Sequence, residues 1–413
     1  MTTIDQTNTG EKDQDAAVLR SHLVDKLRDE QFLRTERVEQ AMQTVQRHLF
    51  LPEETTARAY EDDHVVTKWA ADGKALSSAS APWIVAAMLE DLDVQPGQRV
   101  LEIGAGTGYN AALVRELVGP TGSVTSIDID ADVVETARQN LTSAGYDDIH
   151  LVTGDGAEGH SAHAPFDRIV ATAGCWDIPA AWWEQLTKSG RLVIPLRWRG
   201  DSRIVAFGRD GDRLISERIF MGGFIPMRDH GSERTFTVGP NDAITVTCDS
   251  DQDINRDALT GVFEQERSES WSGVTVKDGE PWDVLWLRMA SYEAGACRLT
   301  TTRDAIAAGH VPEDLPPWTH ALVEGTSLAY FTTRSAPEER RCELGTSGYG
   351  PAGQELADRI SDHIRAWGPD RAATPTITAW RTKPDTSTAY PIISKVNTCL
   401  IAEESSPQLP SHR

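Results

Sequence analysis

The chain has 413 residues and a formal net charge of −23, with a pI near 4.9. That length accommodates two domains with substantial cores, and the acidity, spread over both halves, excludes a surface that tracks nucleic-acid phosphates. Five scattered cysteines (Cys175, Cys248, Cys297, Cys342 and Cys399) include no C-x-x-C pair. They fit a reducing cytoplasm better than a disulfide scaffold or a zinc knuckle, and no metal site is read from the sequence.

The N-terminus is polar and acidic, without the features of a signal peptide, and no apolar run is long enough to span a bilayer. A soluble, cytoplasmic protein with no nucleic-acid or membrane partner is expected. Residues 1–14 are expected to be disordered. Helical patterns follow at 16–30 and 35–46 and close before Leu51-Pro52, since proline cannot continue a helix. Segment 82–95 reads as a helix opened by Pro82, with Ile84, Val85, Met88, Leu89 and Leu92 on an apolar face.

From there strand and helix alternate. Strands are expected at 99–103, 123–127, 149–153, 168–173 and 191–195, and helices at 108–118, 131–144 and 178–188. Apolar strands alternating with helices imply an α/β, doubly wound parallel sheet covered on both faces. Strands at 204–208 and 214–221 complete it. Near residue 232 the texture becomes β-rich, with helices expected at 254–266 and 282–292, strands around 319–333, and a strand at 375–381. A helix over 352–367 carries Leu356, Ile360, Ile364 and Trp367 on one stripe. The expected domains are therefore 15–232 and a C-terminal α+β domain at 233–400, which would recognise substrate, followed by a flexible tail at 401–413. Half of the twelve tryptophans fall in the second domain, where packing in a core is their commoner role.

The chemistry concentrates at Val100 to Asn110, which runs Val-Leu-Glu-Ile-Gly-Ala-Gly-Thr-Gly-Tyr-Asn. A strand stops there in Gly104-x-Gly106-x-Gly108, where the missing Cβ atoms let backbone approach a ligand. The next strand ends in Asp128, followed by Ile129; a carboxylate at that place suits a ribose diol. The spacing is not G-x-G-x-x-G. Glu102, two residues ahead of the first glycine, would repel a pyrophosphate and favour a cationic ligand. S-adenosylmethionine, with a sulfonium and an α-ammonium group, fits that pattern. Asp155, after the following strand, can accept from an adenine amino group, and Gly156 lets a ring lie against backbone.

Further blocks accompany these: Arg47-His-Leu-Phe50-x-Pro52, Ala59-Tyr60-x-Asp62, Ser78-Ala-Ser80-Ala-Pro82, Ala164-Pro-Phe-Asp167, Gly190-Arg-Leu-Val-x-Pro195 and Gly223-Phe-Ile-Pro226. Over about 16–231 the chain resembles the protein-L-isoaspartate O-methyltransferases. The resemblance implies a Rossmann-like class I methyltransferase domain that uses S-adenosyl-L-methionine. It implies that Ser80 is the active-site serine, with Ser78 where the family usually has threonine. Glu102, Gly104, Gly106, Asp128, Ile129, Asp155, Gly156 and Ala157 match cofactor-contacting positions. Arg228 stands where the family usually has a small hydroxyl residue, and is expected to pair with the cofactor's carboxylate. The implied partner is a peptide or protein carrying an aspartyl or isoaspartyl residue.

A carboxylate with a pKa near ~4 is ionised at pH 7 and needs no general base. Ser80 therefore reads as a hydroxyl that holds the acceptor carboxylate, with no His/Asp relay behind it; it also reads as a helix N-cap ahead of Pro82. Two departures bear on substrate. Lys68-Trp-Ala-Ala-Asp-Gly-Lys-Ala-Leu-Ser-Ser replaces a glycine-rich lead, and the second domain is additional. Both are similar to extended members that tailor ribosomally made peptides, lanthipeptides and crosslinked peptides among them. The expected substrate is then an aspartyl residue of a macrocyclic precursor peptide, whose methyl ester cyclises to a succinimide (aspartimide) and opens to isoaspartate. Generic repair of isoaspartyl proteins, and a non-catalytic adaptor that retains the fold, stand as alternatives.

Overall fold

A computed structural model describes residues 6–231, 233–336, 340–384 and 390–403, with 6–14 described by backbone alone. Two compact units emerge: Met1–Pro195 with Arg203–Arg228, and Leu196–Ser202 with Asp229–Arg413. The short segment Leu196–Ser202, ahead of Arg203, belongs to the second unit. No helix among the described residues is long and apolar enough to cross a membrane, and no disulfide joins the five cysteines.

The first unit opens with helices α1 (Gln6–Asp29), α2 (Glu36–Thr44) and α3 (Thr56–Ala59). Of the segment expected to be disordered, residues 1–5 lie outside the described residues, while 6–14 continue α1 toward the N-terminus. Polar but proline-free, that stretch extends a helix anchored downstream by Leu23, Val24 and Leu27 in the core. Strands β1 (Val65–Trp69) and β2 (Ala75–Ala79) follow, then helix α4 (Pro82–Leu92). They pair antiparallel across Asp72-Gly73, a hairpin that the departure segment conceals despite its Asp-Gly turn. Helix α4 begins with Pro82 at its first turn, as expected, but its N-cap is Ala81, without a side-chain bond. Ser80 is therefore not the cap. The helix is buried nearly all round, Glu90 and Asp91 included. Glu90 accepts the backbone N–H groups of Arg34 and Thr35, which satisfies its charge in the core.

The alternating segment delivers β3 (Arg99–Ile103), α5 (Tyr109–Val118), β4 (Ser123–Asp128), α6 (Ala131–Ala144), β5 (His150–Thr153), β6 (Phe166–Ala171), α7 (Ala180–Gln185), β7 (Leu186–Trp198), β8 (Asp201–Asp210) and β9 (Arg213–Met221). Their order across the sheet is β9-β8-β7-β6-β3-β4-β5. Strand β3 runs parallel to both β4 and β6, and β5 and β7 join parallel outside them. The helix expected at 178–188 stops at Gln185, because Leu186 pairs with Phe166 in the sheet. Val85, Leu89, Val100, Leu113, Val124, Val170 and Ile204 make one core. All the parallel strands point their carboxyl ends the same way, the end at which such sheets bind ligands.

The second unit contains β10 (Glu233–Val238), β11 (Ile244–Asp249), β12 (Arg267–Lys277), α8 (Val284–Tyr292), β13 (Ala296–Thr301), α9 (Arg303–Ala307), β14 (Trp318–Glu324), β15 (Ser327–Ser335), β16 (Arg341–Tyr349), α10 (Gly353–Trp367), β17 (Thr376–Trp380), β18 (Ile392–Ser394) and β19 (Cys399–Glu403). Seven of these strands form one sheet in the order β10-β11-β13-β14-β15-β16-β12, antiparallel at every pair, while β19 pairs antiparallel with β17 and β18. The expected stripe of α10 packs with Leu322, Ala329, Phe331 and Leu344 of this sheet. The helix expected at 254–266 is instead two 3-10 turns, Asp257–Leu259 and Val262–Glu264, separated by Gly261 at φ +70°. Of the expected tail, 401–403 end β19 and 404–413 lie outside the described residues.

One ion pair anchors this unit internally. Lys395 Nζ lies 3.2 Å from Asp249 Oδ2, with both side chains almost wholly buried, and donates to the Arg197 carbonyl at 3.1 Å. Replacing Lys395 by methionine leaves the buried carboxylate without its cation. The expected loss is about 3–5 kcal/mol of stability, read by urea unfolding; a loss below about 1 kcal/mol would remove this anchor from the account.

Candidate functional site

At the carboxyl ends of β3, β4 and β6 the chain leaves about 700 Å³ of open space. Eight residues singled out from the sequence line it: Ser78, Gly104, Gly106, Asp128, Ile129, Asp155, Gly156 and Arg228. The glycine turn makes this opening. Gly104 stands at φ +99°, and a Cβ there would lie 2.6 Å from Thr172 Oγ1. The Thr172 hydroxyl reaches the carbonyls of Ile103 and Gly104 at 3.1 and 2.8 Å, so β3 and β6 close on each other where a side chain would hold them apart. Thr172 lines the cavity and escaped the sequence reading. Its signal is positional, as it follows directly on the end of the strand beside β3.

Asp128 is held from two sides. Its Oδ2 accepts the Gly106 N–H at 3.2 Å and its Oδ1 the Asp130 N–H at 3.2 Å. Burial raises its pKa, against the lowering effect of those two N–H groups. Asp155 caps the 3-10 turn Gly156–Glu158 by accepting the Ala157 N–H at 2.9 Å, which is how Ala157 contributes, through backbone and not as part of the cavity wall. Gly156 has a packing reason for lacking a side chain: a Cβ would run into Ile103. Its carbonyl accepts Trp182 Nε1 at 2.8 Å.

Two further expected site residues, Glu102 and Ser80, are not among those that line the cavity. Glu102 is wholly buried, and its carboxyl turns inward to accept Asn110 Nδ2 at 2.7 Å and the Ser126 hydroxyl. Burial pushes its pKa up to about 7, against the two hydrogen bonds, while Asp128 adds to the rise. Ser80 is half-buried, two residues beyond the lining residue Ser78. Its carbonyl accepts Arg47 Nη2 at 2.8 Å. Arg47 is itself buried, donates Nε to the Ala59 carbonyl at 2.9 Å, and lies 4.8 Å over the Tyr109 ring. Arg47 thus holds the Ser80 backbone, a contact that motif matching alone does not display.

Arg228 reaches the cavity but already meets a protein carboxylate, with Nη2 2.6 Å from Asp130 Oδ2. Lys68 Nζ lies 2.8 Å from the same oxygen and 2.8 Å from Asp132 Oδ1. The hydrogen bond from Arg228, with Lys68 in support, holds the Asp130 carboxyl below the usual carboxylate range. Lys68 and Arg228 thus converge on one acid just before α6, and a cofactor carboxylate that met Arg228 would share it with Asp130.

Glu102 binds a proton more tightly in the folded chain than its ordinary value of 4.5 allows. Its contribution to stability is therefore complete at acid pH and lost as pH rises from 4.5 through about 7. The stability of the wild type minus that of Glu102→Gln should fall across this window by an amount on the order of 3 kcal/mol. A flat difference in urea unfolding would contradict the raised pKa. Gly104→Ala forces a side chain into positive φ and against Thr172; it should cost roughly 2 kcal/mol or more and abolish measurable binding of S-adenosyl-L-homocysteine, while native-like affinity would show that the turn tolerates a Cβ.

The family described as Protein-L-isoaspartate(D-aspartate) O-methyltransferase (PCMT) matches residues 18–232. Over 210 residues the chain is 40% identical to the protein-L-isoaspartate O-methyltransferase of Methanopyrus kandleri, covering 50% of this chain and 90% of that one. The enzyme of the same name from Methanothrix thermoacetophila is 45% identical over 162 residues, 39% of this chain and 74% of its own. A solved structure of a protein-L-isoaspartate O-methyltransferase from Plasmodium falciparum, in complex with S-adenosyl-L-homocysteine, covers 50% of this chain and 97% of that one, at 18% identity and a TM-score of 0.45. The glycine turn, Asp128 and the Asp155 turn supply the backbone approach and acceptor groups that a nucleoside donor requires, and the chain belongs to the protein-L-isoaspartate(D-aspartate) O-methyltransferase family, whose methyl donor is S-adenosyl-L-methionine.

Proposed function

We propose that this chain is an S-adenosyl-L-methionine-dependent carboxyl O-methyltransferase acting on L-isoaspartyl residues of proteins and peptides. The observation that carries this reading is the cavity at the strand ends, lined by Gly104, Gly106, Asp128, Asp155 and Gly156 beside the Ser78 strand, in a chain that matches the family throughout 18–232. In this reading Asp128 accepts from the ribose hydroxyls, Asp155 from the adenine amino group, and the glycines admit the donor against backbone. The bound donor supplies an electrophilic methyl group. The protein's own task is alignment: the acceptor carboxylate is already ionised near neutral pH, so holding one of its oxygens in line can lower the barrier by roughly 7–11 kcal/mol. Ser80 holds that carboxylate by its hydroxyl. Arg47 fixes the Ser80 backbone from behind. Closure of the resulting ester to a succinimide needs only the next backbone nitrogen of the substrate.

A narrower substrate, an aspartyl residue in a constrained, ribosomally made peptide, is favoured by two observations. The family match ends at residue 232, leaving the antiparallel sheet of the second unit to some further task, and the β1–β2 hairpin, whose Lys68–Ser78 segment reads in the sequence as a departure from the family's glycine-rich lead, borders the cavity with Leu76, Ser77 and Ser78. The relatives are named for isoaspartate alone, so the broader reading leads. An adaptor without catalysis would need no intact turn at Gly104 and Gly106.

The test is mass spectrometry of the purified chain with S-adenosyl-L-methionine and three peptides of one sequence: linear isoaspartyl, linear aspartyl and macrocyclic aspartyl. Methylation of the linear isoaspartyl peptide, followed by loss of methanol, is expected. Methylation of the macrocycle alone would transfer the assignment to peptide tailoring; methylation of none would leave the adaptor. Ser80→Ala should lower turnover roughly 10–10³-fold with S-adenosyl-L-homocysteine affinity within about twofold of wild type. Unchanged turnover would remove Ser80 from its role.

A further inference from the structure

Among the described residues, three histidines stand together at the edge of the parallel sheet: His150 at the start of β5, and His160 and His163 in the loop after the Asp155 turn. Their ligating nitrogens all lie within 4.8 Å of one another. Ring centroids are 4.2 Å apart for His150 and His163, 4.6 Å for His160 and His163, and 5.2 Å for His150 and His160. A tetrahedral ion with bonds of about 2.0–2.1 Å brings its nitrogens to about 3.4 Å, within reach by side-chain rotation at sites that are exposed or half-buried. His163 Nδ1 is already engaged, 2.9 Å from the buried Thr125 hydroxyl, the kind of outer contact that fixes a ring and leaves Nε2 to a metal. No acid or cysteine belongs to the group, so the donor set is three imidazoles, the set that suits zinc, copper and nickel ions.

We propose that His150, His160 and His163 form a site for a divalent transition-metal ion, zinc being the ion that this donor set and a tetrahedral geometry suit best. The site's position gives it a consequence. His150 precedes, and His160 and His163 follow, the segment in which Asp155 and Gly156 line the cavity. An ion bound to all three closes residues 150–163 into a loop and restrains that wall from outside. The metal is structural here; it lies outside the set of residues that line the cavity. The binding site does not depend on the methyltransferase reading, so the two can fail separately.

The test uses the metal-stripped full-length chain, titrated with Zn²⁺ against a chromophoric chelator and with Co²⁺ by visible absorption. One equivalent should bind, with the absorption of a tetrahedral nitrogen-ligated Co²⁺. His163→Gln and His160→Gln should each weaken binding about 100-fold or more. Both variants retain all five cysteines, so equal stoichiometry and affinity in wild type and variants would overturn the site in favour of thiol binding. Absence of binding to the wild type would overturn it outright. Thermal unfolding keeps the comparison sound: metal-free variants should melt with the metal-free wild type, and only the wild type should gain stability from Zn²⁺. Zn²⁺ should also slow backbone amide exchange over 150–163 in the wild type alone; tight binding with unchanged exchange would refute the restraint on the Asp155 turn.

Discussion

The approach of β3 to β6 at Gly104 and Thr172 is the constraint on which the cavity depends. A hydroxyl occupies the place where a Cβ would sit, and the same hydroxyl satisfies the carbonyls of Ile103 and Gly104. With the strands drawn together, Gly104 N–H reaches the Ile127 carbonyl at 2.8 Å, and the turn arches over the strand ends. Asp128 then lies beside the Gly106 N–H, and Ile103 fits against Gly156. Backbone groups, oriented by packing before any ligand arrives, are the components of a preorganised site.

Charge is arranged around this frame in two tiers. Inside, Glu102 is so thoroughly desolvated that it holds a proton up to about pH 7, and a cation drawn near it would favour the ionised form. At the rim, Lys68 and Arg228 share Asp130, joining the hairpin, the segment after Pro226 and the start of α6. Arg47 completes the arrangement by tying Ser80 to the Ala59 carbonyl and the Tyr109 ring.

Much of this was legible in the residues, because parallel strands buried on both faces are continuous apolar runs and the helices between them carry clear stripes. Strands β3 to β6 and helices α5, α6 and α10 follow from that pattern; of the eight cavity residues, Gly104, Gly106, Asp128, Asp155 and Gly156 are legible in the glycine turn and the strand ends, whereas Ser78, Ile129 and Arg228 come only from the family resemblance. What escaped did so for local reasons. Strand β16 contains Gly345 and Gly348, which look like strand breakers; one is required by the face of Trp271 and the other by the backbone of Gly353. Helix α7 ends early because tertiary pairing at Leu186 overrides propensity. Glu102 was placed toward a ligand, but its hydrogen bonds to Asn110 and Ser126 turn it inward. Gly156 was read for a ligand ring and serves Ile103 as well. Trp271 for Gly345, Phe166 for Leu186, Ser126 for Glu102 and Ile103 for Gly156 each lie twenty or more residues away, beyond the reach of periodicity.

The most direct measurement is a crystal structure of the chain with S-adenosyl-L-homocysteine at saturation. The account predicts the nucleoside in the cavity at the ends of β3, β4 and β6, its ribose hydroxyls within hydrogen-bonding distance of the Asp128 carboxylate and its adenine against the Asp155 turn. A nucleoside bound elsewhere, or a cavity that excludes it at saturating concentration, would contradict it.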